Sequence, residues 1–316
     1  MINMNNEYVI GFGGANADLH IRCRSQVLLH DSNPAVTSSS PGGVMRNILD
    51  NMSRLGVPCR LLSAVGRDPN GRMLLASCEE RGIDISGVFI SETLPTSCYI
   101  DFLDENGDMF VAANDMALMD GIPGSWLHEN RQAIAGAKAL VIDTNPSEES
   151  LIQFCSYARA PIFADPVSAA KAGKLNAVLP ELFLVKPNLM ELEHMSGISC
   201  AGSDGIKAAA ERILDTGCMS VAVSLGSGGC YYADRRGDSF TMRLTPVENM
   251  VNATGAGDAF MAGLVSAYAD GLDPVHMVAR GLACGRLAVQ CVTTINPELS
   301  IEKVTKELEY GLQILS

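Results

Sequence analysis

The sequence predicts an α/β fold: a doubly wound, mostly parallel sheet flanked by helices, with a small β-sheet added. Short apolar segments alternate with segments of helical periodicity along most of the 316 residues. Strands that are apolar throughout are typical of parallel sheets buried on both faces. Their alternation with helices is typical of doubly wound folds. The predicted strands cover residues 8–12, 60–65, 139–143, 162–165, 182–185 and 220–224.

Helices are predicted where apolar residues recur at three- or four-residue intervals. In the first of them, Val44, Ile48, Met52 and Leu55 share one face. The predicted helices cover residues 43–55, 71–81, 148–159, 205–216, 258–269, 274–289 and 301–312.

Two segments lack helical partners, and we expect them to form a lid on a single domain that spans residues 1–316. About residues 17–39, polar and apolar residues alternate before a serine-rich stretch that is interpreted as a loop. About residues 96–113, Asn106-Gly107 lies between two strand-like runs, which is a strong hairpin signal.

Composition excludes several classes of protein. The 36 acidic residues outnumber the 23 basic ones, for a net charge of −13, and no long basic run is present. Nucleic acid and anionic membrane surfaces are therefore not expected as partners. The first eight residues show no signal-peptide pattern, and no apolar run is long enough to span a membrane. None of the ten cysteines form a C-x-x-C pair, so free thiols in a reducing cytoplasm are expected.

The most informative motif is the run Asn252 to Phe260, in which small residues lead directly into an apolar helix. Gly255, Ala256 and Gly257 expose the N–H groups of a helix N-terminus, where phosphate binds well. Asp258 follows in the first turn, suitably placed to accept a proton from a hydroxyl. The alternative is that glycine makes the turn and Asp258 complements the helix dipole.

Two further glycine-rich motifs occur near the start of the chain. Gly42-Gly43 opens the first predicted helix, and Asn47 offers a donor and an acceptor to a hydroxyl, although an ordinary turn has the same pattern. The run Gly11 to Asp18 lacks the third glycine of a dinucleotide fingerprint. Asn16 and Asp18 are interpreted instead as polar groups at a strand end.

Two motifs follow later strands. Asn188 and Glu191 are three residues apart, so they share a face at a helix start and suit waters around a phosphate-bound metal. The same spacing also predicts a capping box. Ser224 and Gly226 lie in a glycine-rich turn that suits a nucleotide.

The motifs at residues 41–47 and 252–260 together resemble the two signatures of the PfkB (ribokinase-like) carbohydrate kinases, in the expected order. The resemblance covers nearly the whole chain, including the lid. It implies an enzyme that transfers a phosphoryl group from ATP to an alcohol, with Mg²⁺ as a cofactor.

The resemblance also implies roles for individual residues. Asp258 would be the general base, next to an anion hole formed by Gly255, Ala256 and Gly257. Asn188 and Glu191 would organise Mg²⁺ and phosphate, and Ser224 and Gly226 would contact the nucleotide. Lys171 would contact the ATP phosphates or be a solvated lysine. The ribosyl group would bind Asp18, Gly42, Gly43 and Asn47, and Asn16, Arg46 and Asn114 would contact the rest of a nucleoside.

Within the family, the resemblance is to members that phosphorylate the 5′-hydroxyl of pseudouridine. It is carried by residues 32–34, 42–47, 114–116, 165–171 and 296–300. Uridine, inosine, adenosine or a free sugar remain alternative acceptors. A different kind of function is also considered, in which the protein is a non-catalytic ligand sensor with a kinase fold. An intact Asp258 argues against a sensor.

Two properties of the family bear on cations and assembly. Asn252 stands where many members have aspartate, in a loop that often binds a monovalent cation, so dependence on K⁺ is left open. Exposed lid edges in this fold often pair between subunits, so a homodimer is expected.

Overall fold

A nine-stranded sheet runs through the centre of the computed structural model, which describes residues 8–248, 250–309 and 311–315. The strands of the described chain are β1 (Val9–Phe12), β2 (Asn16–Cys23), β3 (Ala35–Gly42), β4 (Cys59–Leu62), β5 (Ala64–Gly66), β6 (Phe89–Ser91), β7 (Cys98–Leu103), β8 (Met109–Asp115), β9 (Ala139–Asp143), β10 (Ile162–Asp165), β11 (Leu184–Val185), β12 (Ser220–Ser224), β13 (Cys230–Asp234), β14 (Ser239–Arg243) and β15 (Gln313–Leu315).

Helices cover both faces of this sheet. They are α1 (Val44–Arg54), α2 (Pro69–Glu80), α3 (Ala117–Asp120), α4 (Gly124–Glu129), α5 (Arg131–Ala135), α6 (Glu148–Tyr157), α7 (Ala169–Ala172), α8 (Leu189–Ser196), α9 (Gly202–Leu214), α10 (Ala256–Ala269), α11 (Pro274–Ala288) and α12 (Ile301–Leu308). Several begin at side-chain caps: Asp68 for α2, Ser147 for α6 and Asp273 for α11. Each cap accepts a hydrogen bond from a first-turn N–H that has no partner within the helix.

The sheet order is β15-β14-β13-β12-β11-β10-β9-β1-β4. The six strands from β12 to β4 are parallel, and β13 to β15 add an antiparallel edge. Apolar side chains pack on both faces: Phe12 stacks on Phe154 of α6 on one face, and Phe163 packs with residues of α1 and α10 on the other. The predicted doubly wound, mostly parallel fold is confirmed.

A separate four-stranded sheet has the order β3-β2-β7-β8, and we call it the lid sheet. Its strands extend slightly beyond the predicted lid segments of about 17–39 and 96–113. The serine-rich stretch interpreted as a loop is strand β3, which pairs with β2 along its whole length. Serine has no marked strand preference, so this strand is defined by its partner and not by its own residues.

Two other boundaries differ from the prediction. The expected strand 60–65 is divided into β4 and β5, and β5 leaves the main sheet to pair with β6. The last helix, predicted to residue 312, ends at Leu308, and Gly311 adopts a φ of +73° before β15 begins. Tyr310, which falls within that predicted helix, lies outside the described residues, as do residues 1–7 of the segment without a signal-peptide pattern.

Candidate active site

Two helix N-termini that are far apart in the sequence meet at one hydrogen bond. Asn47, in the first turn of α1, donates from Nδ2 to Oδ2 of Asp258 in the first turn of α10 at 2.9 Å, across 211 positions. Since both helices present their positive dipole ends here, the site favours an anion. The structure therefore brings together the two motifs that the sequence singles out.

Glycine is required immediately before each helix. Gly43 has a φ of +99°, and a Cβ there would lie 2.4 Å from the carbonyl oxygen of Gly14. Gly255 has a φ of +81°, and a Cβ there would lie 2.1 Å from the carbonyl oxygen of Thr294. These close approaches fix the backbone at both helix starts, so the N–H groups that follow are held in place.

Charged side chains lie at the carboxyl ends of the parallel strands, beside the two helices. Asp143 and Asp165 end β9 and β10 in register with each other, and Lys186 follows β11. Lys186 and Asp165 form a buried ion pair at 3.0 Å. The ammonium group of Lys186 also lies 3.5 Å from the position that a Cβ on Gly257 would take. A positive charge is therefore held against the predicted anion hole.

Burial and neighbouring carboxylates raise the pKa of Asp258 to about 7. Desolvation is the largest cause and the charge of Asp165 adds to it, while the Asn47 hydrogen bond and Lys186 work in the opposite direction. Burial works to lower the pKa of Lys186, but Asp165 and Glu191 outweigh it and the pKa is raised. A carboxylate with a pKa near 7 suits a general base at neutral pH, beside a lysine that stays charged.

Asp143 organises the backbone beneath the site. Its Oδ2 accepts from the N–H of Gly14 at 2.8 Å and of Met45 at 3.0 Å, and Oδ1 accepts from Asn145 at 2.8 Å. Burial raises its pKa to about 6 against the effect of these donors. Asp143 thereby joins the glycine turn after β1 to the start of α1.

A cavity of about 540 Å³ opens beside α10. Ser224, Gly226, Ala256 and Gly257 are among the residues that line it. The rest is largely apolar, with Leu244, Val247, Phe260, Leu282 and Val289 among the lining residues. The cavity therefore joins the predicted nucleotide turn to the predicted anion hole, and its apolar wall suits a flat heteroaromatic ring.

Asn188 and Glu191 form a capping box at the start of α8, in which each side chain accepts from the other residue's backbone N–H. Burial, with the charge of Asp165, raises the pKa of Glu191. Among the residues that the structure describes, no group of three or more His, Cys, Asp or Glu side chains is arranged to hold a metal. Glu191 uses only Oε2 in the box, which fits a Mg²⁺ ion held mainly by phosphates and water.

The lid sheet places the predicted substrate contacts Asn16, Asp18 and Asn114 on one of its faces. Asp18 lies opposite Tyr99, and Tyr99 lies opposite Asn114, so these side chains form one row across β2, β7 and β8. Asn16 donates to Asp18 at 2.6 Å, and a Cβ on Gly42 would lie 2.2 Å from an Asp18 carboxylate oxygen. Asp18, at one end of the row, therefore lies against the end of β3, the strand that leads into α1.

Two predicted ligand contacts face protein groups. Arg46 is 5% exposed, and its guanidinium donates to Pro41, Asn47 and Asp50. Lys171 donates from Nζ to Asn145 at 2.7 Å and is not among the residues that line the 540 Å³ cavity.

Asn252 connects the two loops next to the anion hole. Its Nδ2 donates to the carbonyl oxygen of Val292 at 3.1 Å, and its Oδ1 accepts from the N–H of Thr254 at 2.9 Å. An aspartate would offer negative charge here. The amide instead donates to a backbone carbonyl, so Asn252 itself supplies no negative charge to this loop.

The sequence motifs do not single out Asp143, Asp165, Lys186 or Tyr99 as site residues. One signal for the first three is present: each is a charged residue at or directly after the end of a predicted buried strand. In a doubly wound sheet these ends share one edge, where ligands bind. Tyr99 carries no such signal, because its place in the row depends on the pairing of β7 with β2.

The chain is similar to known carbohydrate kinases over nearly its whole length. The model of the pfkB family of carbohydrate kinases matches residues 7–301. Pseudouridine kinase of Escherichia coli (strain K12) is 37% identical over 305 residues, which cover 96% of this chain and 97% of that protein. Pseudouridine kinase of Arabidopsis thaliana is 24% identical over 94% of each chain.

Among solved structures, ribokinase of Arabidopsis thaliana, in complex with ribose and ATP, superposes with a TM-score of 0.87. It is 20% identical, and the match covers 96% of this chain and 99% of that one. This likeness concerns the fold. With a family model that spans nearly all of its residues, the chain belongs to the pfkB family of carbohydrate kinases and is an ATP-dependent phosphotransferase.

Proposed function

We propose that this kinase transfers the γ-phosphoryl group of ATP to the 5′-hydroxyl of pseudouridine, giving pseudouridine 5′-phosphate and ADP. The observation that carries the proposal is the 37% identity to a pseudouridine kinase across almost the full length of both chains. The row of polar side chains on the lid sheet supports it, since a nucleoside needs contacts beyond those made to a sugar.

Asp258 is the general base of this proposal. Its carboxylate accepts the proton of the 5′-hydroxyl as the oxygen attacks the γ-phosphorus and the bond to the ADP oxygen breaks. The hydrogen bond from Asn47 holds the carboxylate in position and favours its ionised form. A base with a pKa of about 7 can take the proton and later release it to water at neutral pH.

The transferring group gains negative charge on its outer oxygens, and the site supplies positive potential for it. The N-terminus of α10 at residues 255–257 forms the anion hole, and Lys186 stands behind Gly257. Mg²⁺, which neutralises phosphate charge when bound, is proposed to be held through water by Glu191 and Asn188. Ser224 and Gly226 contact the nucleotide, and Lys171 remains a proposed phosphate contact.

The lid sheet selects the acceptor. Asn16, Asp18 and Asn114 are proposed to bind the nucleoside, with Gly42, Gly43 and Asn47 at its ribosyl group. Closure of the sheet over the nucleoside would exclude water and so limit hydrolysis of ATP.

A homodimer through the lid sheet is part of the proposal. Strand β8 is exposed along all seven residues, and Phe110 is 51% exposed. An exposed edge strand with apolar side chains is suited to pairing with a second copy. We also propose a cytoplasmic location, since the ten cysteines are free. No helix in the described ranges is long and apolar enough to cross a membrane.

The test is an ADP-release assay with Mg²⁺-ATP and one acceptor per well, with pseudouridine and uridine compared directly. Pseudouridine differs by a carbon glycosidic bond and a free N1–H, so we expect kcat/KM to be at least about tenfold higher for it, as for one lost polar contact. A ratio near one, or preference for inosine, adenosine or a free sugar, would overturn the substrate. Absence of turnover with every acceptor would favour a ligand sensor.

A further inference from the structure

We propose that Arg46 is a positioning residue for the phosphoryl transfer: it fixes the orientation of the Asn47 side-chain amide so that the amide donates to Asp258. The inference rests on the proposed function only in taking Asp258 as the base. It replaces the direct nucleoside contact that the family resemblance implies for Arg46.

The guanidinium of Arg46 faces protein groups. Nη1 donates to Oδ1 of Asn47 at 2.8 Å and to the carbonyl oxygen of Pro41 at 2.9 Å, while Nη2 donates to Asp50 at 3.0 Å. Nε is buried and has no hydrogen-bond partner among the described residues. With only 5% of Arg46 exposed, its donors are directed inward.

An amide side chain has an acceptor on one side and a donor on the other, whereas a guanidinium only donates. Arg46 therefore selects the orientation in which Oδ1 of Asn47 faces it and Nδ2 faces Asp258. In the opposite orientation, an amide oxygen would face the carboxylate and an NH₂ group would face the guanidinium. Both contacts would be repulsive.

Arg46 is itself held in place from two sides. Pro41 belongs to β3, so one contact ties Arg46 to the base of the lid sheet. Asp50 accepts from Arg54 at 2.6 Å, and Arg54 donates to the carbonyl oxygen of Pro297 at 2.6 Å. Pro297 lies in the segment between α11 and α12, which also contains Thr294, and the carbonyl oxygen of Thr294 lies against Gly255. The orientation of Asn47 is thus connected to the anion-hole loop as well as to the lid.

The charged groups that act on Asp258 come from the neighbouring strand ends: Asp165 at the end of β10, Lys186 directly after β11 and Asp143 at the end of β9. The Arg46 contacts given above do not include any of these side chains. Arg46 is not among these principal charges, and Arg46→Lys keeps its positive charge, so a shift in the titration of Asp258 that occurs in Arg46→Lys as well as in Arg46→Met is transmitted through Asn47 and not by the loss of charge. The pH dependence of kcat is the readout that distinguishes this role from a packing role.

The experiment compares wild type, Arg46→Met, Asn47→Ala and the double variant, with whichever acceptor the wild type phosphorylates. Arg280→Met is the matched control. Arg280 is also a largely buried arginine, and it pairs with Asp270 in the C-terminal half of the chain. We expect Arg46→Met to lower kcat by about tenfold or more, as for a lost hydrogen bond to a charged group. In the pH profile of kcat for Arg46→Met, the acidic limb, where activity falls as Asp258 is protonated, should move up by about one pH unit. The double variant should match Asn47→Ala, and Arg280→Met should match wild type.

An increase in KM for the acceptor with an unmoved acidic limb, and additive effects in the double variant, would overturn the inference in favour of a substrate contact. If Arg46→Met fails to fold, Arg46→Lys serves instead: one ammonium cannot maintain all three contacts, so the same shift is expected in smaller degree, and a wild-type limb would overturn the inference. Any accepted acceptor suffices, so failure of the pseudouridine assignment alone leaves this test intact.

Discussion

The carboxyl edge of the nine-stranded sheet and the lid sheet both carry candidate site residues, but they differ in burial. At the edge, Asp143, Asp165 and Lys186 are buried and joined to other groups by hydrogen bonds or an ion pair. In the lid sheet, every residue of β8 is exposed. Charge stabilisation needs fixed groups in a region of low dielectric, whereas acceptor selection and closure need a surface that can move. We therefore expect the reaction to depend on the edge, and acceptor choice and assembly to depend on the lid.

The largest expected effect at the edge is that of Asp258→Asn. Loss of the base should lower kcat by roughly 10²- to 10⁴-fold, the usual range for general-base catalysis. Binding of the nucleoside should change little, because the asparagine is isosteric and the lid contacts remain. Steady-state kinetics and calorimetric titration of the acceptor measure the two quantities. Turnover at the wild-type rate would remove Asp258 from the mechanism.

The buried ion pair should matter more for stability than any exposed pair. Lys186→Met leaves Asp165 buried without its partner, and we expect the free energy of unfolding to fall by about 3–5 kcal/mol. Lys174→Met, which breaks the more exposed pair with Asp120, is the control and should cost less than about 1 kcal/mol. Denaturant titration gives both values. Equal losses would contradict the contrast between buried and exposed charge.

Combining Lys186→Met with Asp165→Asn refines this comparison. Once both charges of the pair are removed, Asp165 no longer stays in the interior as an ion without its partner, so much of the lost stability should return. The activity should not return with it, because the positive charge beside Gly257 is still missing. Recovery of both together would mean that Lys186 acts only through stability.

The two regions also differ in how far the sequence predicts them. Strands such as β9, β10 and β12 match their predicted bounds, because uninterrupted apolar residues between helices leave few other options. The glycine motifs single out Asn47 and Asp258 separately, but the hydrogen bond between them, across 211 positions, is seen only in the structure. The row of Asp18, Tyr99 and Asn114 could not be predicted, because it depends on strand register. The i, i+4 spacing of Arg46 and Asp50 favours their ion pair, but nothing local in the sequence shows that Arg46 also donates to Asn47.

Protonation of Asp258 should also make the free energy of unfolding depend on pH. Its pKa in the folded protein is raised from 3.8 to about 7, so the folded state holds the proton more tightly than the unfolded chain. That contribution is fully present below about pH 4 and is lost as the pH rises through 7. The stability of wild type relative to Asp258→Asn should therefore decrease between these values. Unfolding free energies measured across this range would contradict the assignment if the difference stayed constant.

A smaller effect is expected in the lid. Phe110→Glu places a charge on the exposed face of β8, so we expect the dimer to dissociate while the stability of the fold changes by less than about 0.5 kcal/mol. Ile152→Glu is the control, since Ile152 is 45% exposed on α6, outside the lid sheet. Light scattering measures the mass of each variant. A wild-type monomer, or a dimer that survives Phe110→Glu, would argue against pairing through β8.

The smallest effect is expected from the monovalent cation. The Asn252 amide already donates to the Val292 carbonyl, so replacing K⁺ with tetramethylammonium should change kcat by less than about twofold, within ~0.4 kcal/mol. Asn252→Asp removes that donor and adds a negative charge, which should create a dependence on K⁺, because a carboxylate attracts a cation more strongly than a neutral amide does. Strong activation of the wild type by K⁺ would show that the amide gives way to the ion. The loop that contains Asn252 would then be mobile, as proposed for the lid sheet, and the rigid part of the site would include Lys186 but not this loop.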